Sequence, residues 1–102
     1  MKKILFHIKH MTDRLPCDLT MKHLAKLSLE HDKPIMLDYW KPSVTKEAVI
    51  GVRESGEKML VKSEDEYTSP IGKVFKVETD FIVMTENSLY CVCAAIPTKR
   101  IS

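Results

Sequence analysis

Apolar and polar positions alternate with a period of two along most of this chain, and the helical period appears in one stretch only. Residues 2–9 carry Ile4, Phe6 and Ile8 in alternation with Lys3, Leu5 and His7, which predicts a strand. Pro16 then breaks the chain, and Asp18 or Thr20 can cap a helix that ends before Asp32-Lys33-Pro34, so a helix is expected over 18–31. Within it Met21, Leu24, Ala25 and Ser28 follow the i, i+3, i+4, i+7 rule and Leu27 widens the stripe, while Lys22, Lys26 and Glu30 face water.

From Pro34 to about residue 96 short apolar runs are separated by turn residues, the pattern of a β-meander. The runs are 35–40, 48–53, 57–62, 73–78, 81–85 and 89–94. Pro42-Ser43 separates the first two, and Ser63-Glu64-Asp65-Glu66 with Ser69-Pro70 forms the longest connection. At Glu54-Ser55-Gly56 a three-residue loop with Gly56 in the left-handed region sets Arg53 opposite Glu57 and Ile50 opposite Leu60. A two-residue loop would oppose Glu54 to Glu57 and Arg53 to Lys58, and like charges directly opposite are destabilising, so the three-residue register is expected.

Two-residue loops at Thr79-Asp80 and Asn87-Ser88 would place Val77 opposite Ile82, Phe75 opposite Met84, Met84 opposite Cys91 and Ile82 opposite Cys93. One face then reads Phe75, Val77, Ile82, Met84, Cys91 and Cys93. The other reads Val74, Lys76, Phe81, Val83, Tyr90 and Val92. A strand such as Phe81-Ile82-Val83-Met84, apolar on both faces, must be covered on both, and the helix is the expected cover for the second face. The fold class is therefore α+β: an antiparallel meander of six to seven strands, as a curved sheet or small barrel, with one N-terminal amphipathic helix packed on it.

Composition adds little to this picture and removes several alternatives. One hundred and two residues fit a single domain, and 44% hydrophobic with 29% charged residues argues against disorder. The N-terminal apolar stretch is too short for a secretory signal or a membrane span. Three cysteines, Cys17, Cys91 and Cys93, make an odd count that points to a reducing, cytoplasmic compartment. A net charge of +2 is compatible with nucleic acid without arguing for it.

Candidate chemistry is sparse. Cys91-Val92-Cys93 invites a metal reading but lacks the Cys-x2-4-Cys spacing, and the register above buries both sulfurs. His7, His10, His23 and His31 do not form a His-x3-His pair on one helix. Ser55 belongs to a hairpin and not to a nucleophile elbow, and three glycines cannot build a phosphate loop. No cofactor, metal, small-molecule substrate or catalytic group is expected, so the chain is not read as an enzyme. The candidate partner-binding residues are Trp40 and Lys41, with Tyr67 beside the acidic loop. The partners expected are a protein or a second copy of the chain, reached through an edge strand, the helix or an apolar face. A small barrel binding single-stranded nucleic acid is the alternative.

The stretches Lys33-Pro34-Ile35-Met36-Leu37-Asp38-Tyr39-Trp40, Ile50-Gly51-Val52-Arg53-Glu54-Ser55-Gly56-Glu57-Lys58 and Thr85-Glu86-Asn87-Ser88 resemble short proteins of large DNA viruses. The resemblance covers residue 33 to the end. It implies a setting, host cytoplasm or virion, and brings no activity with it.

Overall fold

The computed structural model describes residues 14–101, and the strand expected over 2–9, with His7 and His10, lies outside the described residues. Helix α1 runs Asp18–His31, as its periodicity predicts. It is entered from Cys17 in an extended conformation, with no side-chain cap from Asp18 or Thr20. Asp18 sits in the first turn, where a carboxylate complements the helix dipole. The helix stops where Asp32 turns left-handed (φ 53°, ψ 48°) and returns its N–H to the carbonyl of Ser28. Thr20 and Leu24 are buried and Leu27 and Ser28 half-buried, while Met21 and Ala25 are exposed, so the buried stripe is rotated from the expected one.

Beyond α1 the described chain forms β1 (Ile35–Met36), a short helix α2 (Trp40–Val44), β2 (Val49–Val52), β3 (Lys58–Val61), β4 (Ile71–Val77), β5 (Asp80–Thr85), β6 (Leu89–Cys93) and β7 (Thr98–Arg100). The protein is α+β, as expected, but the strands among the described residues divide into two mixed sheets, ordered β1-β6-β5-β4 and β3-β2-β7, and close no barrel. The meander is antiparallel where it is continuous. The additions are parallel: β1 on β6 and β7 on β2. The run 35–40 is not one strand, because the chain leaves the sheet after Met36 and enters α2 at Trp40, with Pro42 tolerated in the first turn.

The β2–β3 register is the expected one. Ile50 lies opposite Leu60, the Arg53 N–H bonds to the Glu57 carbonyl at 2.8 Å, and Gly56 takes φ 95°. The last two hairpins turn one residue earlier than expected, at Glu78-Thr79 and Glu86-Asn87. Val77 therefore pairs with Asp80, Phe75 with Ile82, Met84 with Leu89 and Ile82 with Cys91. Each slip is two residues, so every side chain keeps its face.

Two cores lie on opposite faces of the four-stranded sheet. Ile82, Met84, Leu89 and Cys91 pack with Leu24 and Trp40, joined by Leu27, Val44, Phe75 and Val77. Val83 and Val92 pack with Tyr39, Ala48, Leu60 and Ile96. The helix thus covers the face expected to be the other one. The reason is that β2 and β3 do not extend the meander but fold across it, and their apolar side takes the Val83/Val92 face.

Candidate functional site

In the four-stranded sheet β5 and β6 have neighbours on both sides, while among the described residues β4 pairs with β5 alone. It is a seven-residue edge, whereas the edge strands β1 and β7 have two and three residues. The outer edge of β3 is already occupied, since the Leu60 carbonyl accepts from Thr68 N–H at 2.9 Å and the Leu60 N–H donates to Thr68 Oγ1 at 3.1 Å.

Which backbone groups β4 offers follows from the antiparallel pattern. The Thr85 N–H bonds to the Ser88 carbonyl at 3.0 Å, so Thr85, Val83 and Phe81 use their backbone groups on β6. Asp80, Ile82 and Met84 then serve β4, where their partners are Val77, Phe75 and Lys73. Val74 and Lys76 are left with N–H and C=O directed away from the sheet. Gly72, where the register shifts, is a bulge at the strand's start.

Beside this edge lies a groove of about 480 Å³ between α1 and β4. Leu19 and Leu27 line it from the helix, Phe75 and Val77 from the strand, and Ile82 from the sheet behind. Lys26, Glu30 and Glu78 contribute charge at its rim. Leu19 is 44% exposed in the groove, and Val74, equally exposed, lies on the other face of the edge strand.

The distance between helix and strand is set by a buried polar cluster at one end of β4. Asp80 is fully buried and accepts from Arg14 Nη2 at 2.8 Å, Cys17 N–H at 2.9 Å and Thr20 Oγ1 at 2.8 Å. Burial alone would raise its pKa, but these three donors together hold the carboxyl below its usual range. Arg14 also donates to the Thr79 carbonyl and to Cys93 Sγ, both at 3.3 Å, and lies 4.9 Å from the Trp40 ring centroid. Because Cys17 and Thr20 open α1 and Asp80 follows the β4–β5 turn, this cluster pins the helix across the sheet. Sequence reasoning missed it. Asp80 looks like a turn residue, and its partner Arg14 lies 66 positions away.

The three residues singled out from sequence do not come together here. Trp40 is buried, only 6% exposed, and its Nε1–H donates to the Arg14 carbonyl. Lys41 is exposed on α2. Tyr67, 55% exposed, lines a second concavity of about 440 Å³ on the outer face of the three-stranded sheet, with Arg53, Met59, Lys62, Lys99 and Ile101. The edge strand beside that face, β7, has three residues against the seven of β4, which is why the β4 groove is the stronger candidate.

Cys91 is fully buried among Ile82, Leu89 and Trp40, and burial pushes its thiol up to about 12. Cys17 and Cys93 are half-buried, and all three are free thiols. Among the described residues no group of three or more His, Cys, Asp or Glu side chains is placed to hold a metal ion. No helix among them is long and apolar enough to cross a membrane. No family model, curated protein or solved structure matches the chain.

Proposed function

We propose that this chain is a non-catalytic binding domain that takes up an extended segment of a partner protein by strand addition on β4. The observation that carries the reading is the conjunction at β4: a seven-residue edge, unpaired among the described residues, next to an apolar groove under a helix. Main-chain bonds to Val74 and Lys76 supply affinity, and alternate side chains of the added strand fall into the groove, which supplies specificity. The resemblance to short viral proteins extends this proposal to a setting in host cytoplasm or the virion.

Charge distribution favours a protein over a nucleic acid as the partner. Residues 14–101 hold thirteen basic and thirteen acidic side chains, so the described domain is neutral overall. Tyr39 and Trp40, the only adjacent aromatics, are buried and supply no stacking platform.

The test is peptide display against the purified full chain, with Val74→Pro as the discriminating variant. Proline removes an outward N–H without touching the β5 ladder and is tolerated on edge strands. Selected peptides should carry apolar residues at alternate positions, protect the Val74 and Lys76 amides from exchange, and lose most of their affinity for Val74→Pro. Peptides that bind this variant as tightly as the parent would sink the proposal. So would steeply salt-dependent retention on single-stranded DNA with no enrichment of peptides.

A further inference from the structure

We infer that the segment recognised at β4 is acidic, an extended polypeptide in which apolar residues alternate with glutamate or aspartate. The inference rests on the strand-addition reading and adds the chemistry of the occupant. Lys73 and Lys76 lie on the edge strand and Lys26 faces the groove from α1. None of the three has a carboxylate within 4.0 Å among the described residues. Glu30 and Glu78 also border the groove, but both charged side chains within β4 itself are basic.

The same lysines bear on which strand can be the neighbour. Pairing β4 with β4 of a second copy brings four lysines into one two-stranded seam, and edge lysines are a common device against such self-association. An acidic strand turns that repulsion into cross-strand attraction. The pleat then sorts the occupant's residues. Lys73, Phe75 and Val77 share the face toward α1, with the Lys73 ammonium 5.6 Å from the Phe75 ring centroid, whereas Val74 and Lys76 lie on the opposite face, across from Val83 and Phe81. An added strand therefore meets the apolar groove, with the Lys73 ammonium over Phe75, on one face and the Lys76 ammonium on the other, so apolar residues opposite Phe75 and Val77 alternate with acidic ones opposite Lys76.

Three fluorescein-labelled peptides of about eight residues, alternating valine with glutamate, threonine or lysine, test this by anisotropy against the full chain. The glutamate peptide should bind tightest, about 5-fold or more above the lysine peptide, and its advantage should shrink as salt is raised. Lys76→Glu should bring the lysine peptide level with the glutamate peptide or ahead of it, and Val74→Pro should weaken all three. Equal affinity for the three peptides, each lost in Val74→Pro, overturns the acidic preference while leaving strand addition standing. Binding that ignores Val74→Pro, or no binding at all, overturns strand addition and the acidic preference with it. A dimer seen by light scattering and abolished by Val74→Pro names the second copy as occupant and overturns the acidic partner.

Discussion

Replacing Asp80 by asparagine tests whether the buried cluster at the head of α1 holds the helix on the sheet. The carboxylate accepts three bonds at 2.8–2.9 Å from Arg14, Cys17 and Thr20, and it is fully buried. Asparagine keeps the shape but offers one acceptor oxygen and one amide donor, so an N–H must confront either Arg14 or the Cys17/Thr20 pair. A hydrogen bond to a charged group contributes about 1.5–3 kcal/mol, and the Arg14 side chain is 32% exposed, so part of its ion pair is screened. The expected cost is about 2–4 kcal/mol. Arg14→Met should cost more, about 3–5 kcal/mol, because it leaves the Asp80 charge buried without its cation. The double variant should be less destabilised than the two costs together, with a coupling of about 1 kcal/mol or more. Urea unfolding of the full chain at neutral pH, with unchanged m-values, measures all three. The sign with pH is fixed by the lowered carboxyl. The stabilisation is fully present well above the unfolded value of 3.8 and is lost as pH falls through it toward the depressed folded value. The parent should therefore lose stability more steeply than Asp80→Asn over that interval. A cost under about 0.5 kcal/mol, or strict additivity of the single variants, refutes the cluster's role.

Three further outcomes follow from local geometry. A Cβ at Gly51 would meet Ile101 Cδ1 at 2.7 Å and the γ-methyls Ile101 Cγ2 and Val61 Cγ2 at 3.0 Å, and β-branched side chains give little, so Gly51→Ala should cost about 1–3 kcal/mol in urea unfolding and Gly51→Val more. Gly56 has open space around it but φ 95°, so Gly56→Ala should cost about 1 kcal/mol through the backbone alone, recovered in part by asparagine. Iodoacetamide labelling followed by mass spectrometry should leave the buried Cys91 unmodified in the native chain while half-buried Cys17 reacts, and urea should abolish the difference.

What could be read from sequence was what local rules decide. Helix α1 was legible from Leu24, Leu27 and the stop before Pro34, and the β2–β3 register from the charges of Arg53, Glu54, Glu57 and Lys58 with one glycine. The faces of β4–β6 were legible from alternation, yet their register was not, because a slip of two residues leaves the alternation intact. The actual turns depend on contacts far along the chain. Asp80 enters the strand because Arg14 and the start of α1 take up its carboxylate, and the next hairpin is closed by Thr85 Oγ1, which accepts from the Asn87 and Ser88 N–H groups at 3.3 and 3.2 Å. Helix α2 was hidden because Ile35 to Trp40 alternates like a strand. Strand β7, three residues after Pro97, carries no local signal, and its parallel pairing with β2 is non-local. Tyr39 and Trp40, at the start of α2, reach the two different cores, and both are interior.

The division into two sheets also explains why the open edge falls at β4. Strand β5 is apolar on both faces and needs cover on both, and the chain meets that need with α1 on one side and the three-stranded sheet on the other. Once β2 and β3 lie across the sheet, they no longer continue it, and β4 loses the neighbour that a single meander would have given it. The lysines at 73 and 76 then fall where an exposed edge needs protection against copies of itself. The groove exists for the same reason. With α1 tethered at Asp80 and Leu24 seated against Ile82, Leu19 and Leu27 stand over Phe75 and Val77 with no strand between. Loosening the Asp80 cluster should therefore weaken peptide binding at β4 even where the domain stays folded, a link between stability and recognition that Asp80→Asn can expose in the anisotropy assay.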